Sequence, residues 1–251
     1  MSALPTAGIV FACAFGGSVL GLLLRLVLPD HHRASDSKDV VKLGMGLLAT
    51  MAALVLSLLI SSAKGSYDTQ SGEVTRLAAN VALLDRALAY YGPEATDARD
   101  LLRRSLIRAL DQMWPERGFS PAGLNPAGTT TEDFYQKIQA LAPQSDAQRS
   151  LRTEALAIAT DLGRTRTLLF AQAGSSISQP FLVILTFWIT VIFVSFGLFA
   201  PANTTVVTTL FVCALSVAGA IFLILELDQP FGGLVQVSSG PLRSALENLG
   251  R

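Results

Sequence analysis

Three ionisable side chains stand at the ends of long apolar runs. Glu226 and Asp228 end the last run, and Lys64 ends the second. One interpretation is that the carboxylates handle ions or protons, because ionisable residues at membrane depth are functional candidates. The other is structural: the carboxylates stop their helix and hold Lys64 in an ion pair. We therefore predict a charge site formed by Lys64, Glu226 and Asp228, with both roles open.

The second apolar run also carries a stripe of small and hydroxyl-bearing residues at spacings of three and four. The stripe consists of Gly46, Thr50, Ala53, Ser57 and Ser61. Hydroxyl groups on one helix face can line a narrow wet pathway. Small residues equally allow two membrane helices to pack closely. The stripe is thus a candidate for pore lining or for helix packing.

The first apolar run places two glycines four residues apart, Gly17 and Gly21, on the face that also carries Arg25. This spacing is typical of close helix–helix packing in membranes. Arg25 lies near the end of the run, where a long basic side chain can extend to the interface. The alternative for Arg25 is a charge that attracts anions at a pore mouth.

Enzymatic chemistry has little support in the sequence. Ser61 and Lys64 have the Ser-x-x-Lys spacing, but the Ser-Asp-Asn and Lys-Thr-Gly partner motifs are absent. His31 and His32, with acidic neighbours, lie in a polar loop, and metal sites need convergent geometry that adjacent histidines do not supply. We expect no enzyme activity, no metal site and no cofactor.

Four apolar stretches must position these residues. Each has about 20 residues, enough for a helix to cross about 30 Å of hydrocarbon. We predict an all-α membrane protein with four transmembrane helices in two hairpins and a helical extramembrane domain between the second and third helices. The helices are expected at about 7–28, 43–63, 180–199 and 204–227. The predicted boundaries are 1–63 for the first hairpin, 64–179 for the helical domain, 180–228 for the second hairpin and 229–251 for a short tail, interfacial or re-entrant.

The region between the hairpins holds 13 basic and 13 acidic residues, and this balance argues against a nucleic-acid surface. Its apolar residues repeat with helical spacing, as from Val74 to Tyr91. Thr96 and Ser145 are candidate N-caps of two further helices, with a loop at 115–128 and a short helix at about 131–141. We expect an antiparallel helical stalk continuous with the second and third spans, the alternative being a compact bundle against the membrane.

Four spans place both termini and the middle domain on one side of the membrane. Basic residues follow the first span, whereas the leader has none, so the positive-inside rule places the middle domain outside the cytoplasm. Basic residues that flank spans on the opposite side favour the reverse orientation: Lys64, Arg76, Arg166 and Arg243. The expected partners are the lipid bilayer, further copies of the chain and a small ion.

Two segments resemble a known family. Leu47-Leu-Ala-Thr50, Ala53-Leu-Val-Leu56 and Ser62-Ala-Lys64 precede Leu227-Asp-Gln-Pro230-Phe231-Gly-Gly233. Together they resemble the bestrophin-like domain family of bacterial and plant membrane proteins, with Gln229 where an arginine is common. The resemblance marks Pro230, Phe231 and Gly233 as family-motif residues and implies a bacterial inner membrane. Through distant likeness to bestrophins, which are pentameric anion channels, it also implies an oligomeric ion channel or transporter. The alternative is a membrane-anchored interaction or sensing protein that works through its helical domain without transport.

Overall fold

The computed structural model describes residues 3–27, 35–114, 129–172 and 177–250, and these ranges are helical without any strand. The helices are α1 (Ala3–Val27), α2 (Ser35–Tyr91), α3 (Thr96–Met113), α4 (Thr129–Gln139), α5 (Asp146–Gln172), α6 (Gln179–Phe199), α7 (Thr204–Leu227) and α8 (Gly240–Asn248). Four of them, α1, α2, α6 and α7, are long and apolar enough to cross a membrane. The all-helical class and the four candidate spans predicted from the sequence are therefore confirmed.

The chain divides into two compact units. The first, which we call the span unit, comprises Met1–Gly65 and Ser176–Asp228. The second, which we call the polar unit, comprises Ser66–Ser175 and Gln229–Arg251. Each has its own hydrophobic core.

In the span unit, α1 packs against both α6 and α7. Phe11 and Phe15 of α1 meet Phe211 of α7 edge-to-face, with both pairs of ring centroids 5.4 Å apart. Four residues, 200–203, join α6 to α7, and Asn203 caps α7 by accepting a hydrogen bond from the Val206 N–H at 2.9 Å. This capping satisfies a backbone donor that the helix itself leaves unpaired.

The crossing of α1 and α6 depends on glycine from both helices. A Cβ atom added to Gly21 would lie 3.0 Å from the Gly197 Cα and 2.8 Å from the Leu198 nitrogen. A Cβ atom added to Gly17 would lie 3.1 Å from the Thr190 carbonyl oxygen. Gly17 and Gly21 thus lie where two helix backbones approach closely, an arrangement that glycine permits in membrane helices.

In the polar unit, the C-terminal part of α2 runs antiparallel to α5. Arg76 of α2 donates to both carboxylate oxygens of Asp161 at 3.0 Å. At the C-terminal end of α2, the Tyr91 carbonyl accepts a hydrogen bond at 2.9 Å from Gln148, near the start of α5. Asn80 adds a third hydrogen bond to Asp161, at 2.8 Å. This bond, with the Arg76 guanidinium, lowers the pKa of Asp161 below its usual value.

The core of the polar unit follows the predicted apolar periodicity. The predicted inward residues of α2 are all buried: Val74, Leu77, Val81, Leu84, Leu88 and Tyr91. Leu162 of α5 packs against the same core, as the sequence indicates. Ser145 accepts a hydrogen bond from the Gln148 N–H at 3.1 Å and caps α5 as predicted.

Two local features differ from the sequence interpretation, and a third prediction is not tested. Helix α2 continues without interruption from its apolar run into the polar unit, as a stalk requires, but α5 ends at Gln172 and α6 begins only at Gln179. The N-cap of α3 is Ala95 rather than Thr96, because the Thr96 hydroxyl donates to the Pro93 carbonyl of the preceding turn at 2.7 Å. The predicted loop at 115–128 lies outside the described residues.

Candidate functional site

The small-residue stripe of α2 lies on the surface of the single chain. Its members are all exposed: Gly46, Thr50, Ala53, Ser57 and Ser61. A Cβ atom added to Gly46 would meet nothing within 4 Å. The Thr50 hydroxyl donates to the Gly46 carbonyl at 2.9 Å, so it is satisfied within the helix. Among the described residues the stripe is therefore left uncovered along most of its length, and close packing of the whole stripe requires a second chain.

Exposure is a property of the α2 span as a whole. Only 11% of its most apolar window is buried, whereas the corresponding windows of α1, α6 and α7 are 33%, 33% and 39% buried. The other three spans thus form the packed part of the span unit. The α2 span presents most of its surface to whatever surrounds the chain.

The three predicted charge-site residues all belong to the span unit. Glu226 and Asp228 are buried, with 8% and 3% of their surface exposed, whereas the Lys64 side chain is exposed. Ala63, next to Lys64, and Leu225, next to Glu226, belong to one hydrophobic cluster. The ends of α2's apolar run and of α7 therefore share a core, while the pairing of Lys64 with either carboxylate stays a prediction.

The family-motif residues build a tight connection after α7. The Gly232 N–H donates to the Gln229 carbonyl at 3.0 Å, which closes a turn with Pro230 at its second position, a place that suits the fixed φ of proline. Gly233 follows with φ of 106°, in the left-handed region that favours glycine. The Val237 N–H then donates to the Pro230 carbonyl at 2.7 Å.

This connection anchors the tail to the polar unit. The buried ring of Phe231 meets the Trp114 ring edge-to-face at 5.6 Å, and the Trp114 indole donates to the Val237 carbonyl at 2.8 Å. Val237 and Leu242 enter the same core. The tail, predicted as interfacial or re-entrant, is thus part of the polar unit, and Pro230, Phe231 and Gly233 hold it there.

One ion pair that involves a buried carboxylate was missed by the sequence interpretation. Arg99 donates to both carboxylate oxygens of Asp85, at 2.7 and 3.0 Å, and this bonding raises the pKa of Arg99. The Gly250 N–H also donates to Asp85, which lines a cavity of about 400 Å³. A signal was available, because Asp85 lies between Leu84 and Leu88 on the apolar face, where a carboxylate needs a partner.

Two further sets of candidate residues were singled out in the sequence. His31 and His32 lie outside the described residues. Within the described ranges, no three His, Cys, Asp or Glu side chains converge as metal ligands would. Arg25, at the end of α1, donates from its guanidinium to the Ala200 carbonyl, just after α6.

Comparison with known proteins identifies a family. The family model described as Bestrophin-like domain matches residues 11–242, which include the stripe, the charge-site residues and the Pro230–Gly233 turn. Neither a curated protein nor a solved structure shows significant similarity to the chain.

Proposed function

The chain belongs to the Bestrophin-like domain family, and from this premise we propose that it is an oligomeric membrane protein that conducts or transports a small ion. In this proposal several copies place their α2 spans around a common axis. The stripe from Gly46 to Ser61 then borders a wet pathway. No catalytic step is part of the proposed function.

The exposure of the stripe on an otherwise poorly covered span carries the proposal. Lipid tails are apolar and form no hydrogen bonds with the hydroxyls of Ser57 and Ser61. Water and ions interact favourably with these hydroxyls. If chains assemble through α2, the stripe leaves the lipid and the least buried of the four spans is covered. Family membership supports the same arrangement through the likeness to bestrophins.

The charge site has a defined place in this proposal. Lys64, Glu226 and Asp228 lie at one end of the α2 and α7 apolar runs, where they can present a charge to an ion that enters or leaves. Burial of both carboxylates supports a fixed role, because buried charges in proteins are held by partners. The structural role, in which they anchor the helix ends, competes with ion handling at the same residues.

Ion flux through liposomes containing the purified full chain tests the proposal. We expect flux driven by a KCl gradient, and we expect Ser57→Leu to reduce it at least ten-fold, because leucine would narrow and dry the pathway. Ser216→Leu is the matched control, since Ser216 is an exposed serine of α7 whose hydroxyl bonds within its own helix. Wild-type flux equal to that of empty liposomes, or equal losses in the two variants, would contradict conduction through the stripe.

The second candidate function is a membrane-anchored interaction or sensing protein. Its support is the separate core of the polar unit and the 400 Å³ cavity beside Asp85. This candidate predicts monomers in native mass spectrometry and no ion flux. The conducting oligomer predicts one defined assembly larger than a monomer.

Topology belongs to the same proposal: both termini and the middle domain share a side, which the positive-inside rule makes non-cytoplasmic. In a variant without Cys13 and Cys213, single cysteines at the exposed positions Ser150 and Asn248 should react alike with an impermeant thiol reagent. A cysteine at Ala202, between α6 and α7, should react only from the opposite side. Labelling of all three positions from one side would contradict a four-span arrangement.

A further inference from the structure

A groove between α2 and α6 runs along the surface of the span unit. Its volume is about 560 Å³, within the range of ligand pockets. Apolar side chains dominate its walls: Met45 and Ala49 on α2, and Ile192, Phe196 and Phe199 on α6. From Lys42 to Ala49 the groove follows α2 for about 10 Å, since a helix rises 1.5 Å per residue.

One end of this groove is lined by a lysine and by a residue that an arginine contacts. Lys42 and Ala200 both line it there. The Ala200 carbonyl accepts a hydrogen bond from Arg25, which places a guanidinium beside the same end. That bond uses one of the five N–H donors of the guanidinium. The groove therefore has apolar walls along its length and basic side chains near one end.

This basic end lies at the ends of two apolar spans, which is where lipid headgroups are expected. Arg25 lies two residues before the end of α1 at Val27, and Ala200 follows the last residue of α6. Asp39 lies 3.5 Å from the Lys42 amino group, but both side chains are about 70% exposed. Such exposed pairs are weak, so Lys42 stays able to bind another anion.

We propose that this groove binds one anionic phospholipid. Its acyl chain lies along α2 from Met45 to Ala49, and its phosphate contacts Lys42 and Arg25. A basic pocket between membrane helices is suited to an anionic headgroup. The apolar walls select a lipid rather than a free phosphate, because a free phosphate would leave them empty. This inference does not depend on ion conduction. It assigns Gly46, which also lines the groove, to lipid contact and leaves Thr50 to Ser61 for the proposed pathway.

Native mass spectrometry of the full chain in detergent, titrated with phosphatidylglycerol or with phosphatidylcholine of the same acyl chains, tests the proposal. We expect a phosphatidylglycerol adduct that is preferred over phosphatidylcholine. Lys42→Gln should weaken the phosphatidylglycerol adduct about five-fold, and Lys42→Arg should restore it, because one basic residue at the headgroup level changes affinity by about that factor. Free glycerophosphate should not compete with the lipid.

A second pair of variants tests the acyl-chain part of the groove. Ala49→Phe should fill the groove and remove the adduct of both lipids. Ala12→Phe is the control, since Ala12 is an exposed alanine of α1 that does not line the groove. Equal binding of both lipids, an unchanged adduct in Lys42→Gln, or an unchanged adduct in Ala49→Phe would each overturn the proposal. Loss of oligomer in Ala49→Phe with the lipid adduct retained would instead assign the groove to a second copy of the chain.

Discussion

The crossing of α1 and α6 should not tolerate a single methyl group. In Gly21→Ala, the new Cβ would start 2.8 Å from the Leu198 nitrogen and closer still to the Val194 carbonyl oxygen. Reaching an ordinary contact of 3.4 Å with the Leu198 nitrogen alone requires a separation of 0.6 Å, and the closer Val194 oxygen requires more. A gap of 0.5–1 Å already forfeits a quarter to a half of each dispersion contact. We expect a loss of about 2–3 kcal/mol in the free energy of unfolding, the upper part of the range for overpacked sites.

Unfolding of the purified chain in mixed micelles, followed by circular dichroism, measures this loss. Gly16→Ala is the matched control, because a Cβ added there meets nothing within 4 Å. It should leave stability unchanged or raise it by up to about 1 kcal/mol, since alanine favours a helix more than glycine does.

A double variant sharpens the test of this crossing. Gly197→Ala places its methyl group against the Ser18 backbone at the same crossing. The same helix separation relieves both clashes, so Gly21→Ala with Gly197→Ala should destabilise less than the sum of the two single changes. If Gly21→Ala and Gly16→Ala unfold alike, the close approach of α1 and α6 is refuted.

Three further outcomes are expected. Leu84→Asp should remove the protease resistance of the polar unit, because it buries a carboxylate at several kcal/mol in a fully buried position, whereas Leu83→Asp, at a position that is 55% exposed, should not. Glu226→Gln should lower thermal stability and Lys64→Met should partly restore it, while strictly additive changes in a double-mutant cycle would argue against their pairing. Asp161→Asn should destabilise the chain at neutral pH. Because the folded pKa of Asp161 is lowered, its contribution is complete above the unfolded value near 3.8 and is lost as the pH falls through the folded value. The stabilities of the two proteins should therefore approach each other as the pH falls below about 3.8 and converge only below the folded pKa.

Features set by local pattern were predictable from the sequence. The four apolar runs specify the spans because length and hydropathy alone decide whether a helix can cross a bilayer. The periodicity around Leu84 and Leu88 specifies the buried face of α2 in the same way, and Ser145 marks a helix start through its own side chain.

Features set by distant partners were not predictable. The bond from Arg25 to Ala200 joins residues 175 positions apart, and nothing near either residue indicates the other. The groove beside Lys42 exists only because α2 and α6 lie side by side. For the candidate site, the stripe could be found from spacing, but its exposure could not, because exposure depends on which helices cover α2.

The docking of the tail has a consequence for the order in which the protein can mature. Phe231, Val237 and Leu242 enter the core of the polar unit, but they are synthesised only after both α6 and α7. At 5–20 residues per second, the ribosome needs roughly 4–15 s to proceed from residue 175 to residue 251. Throughout that interval the core of the nascent polar unit is incomplete and exposes apolar side chains. A chain truncated before Phe231 keeps this apolar surface exposed, and chaperones and proteases recognise such surfaces.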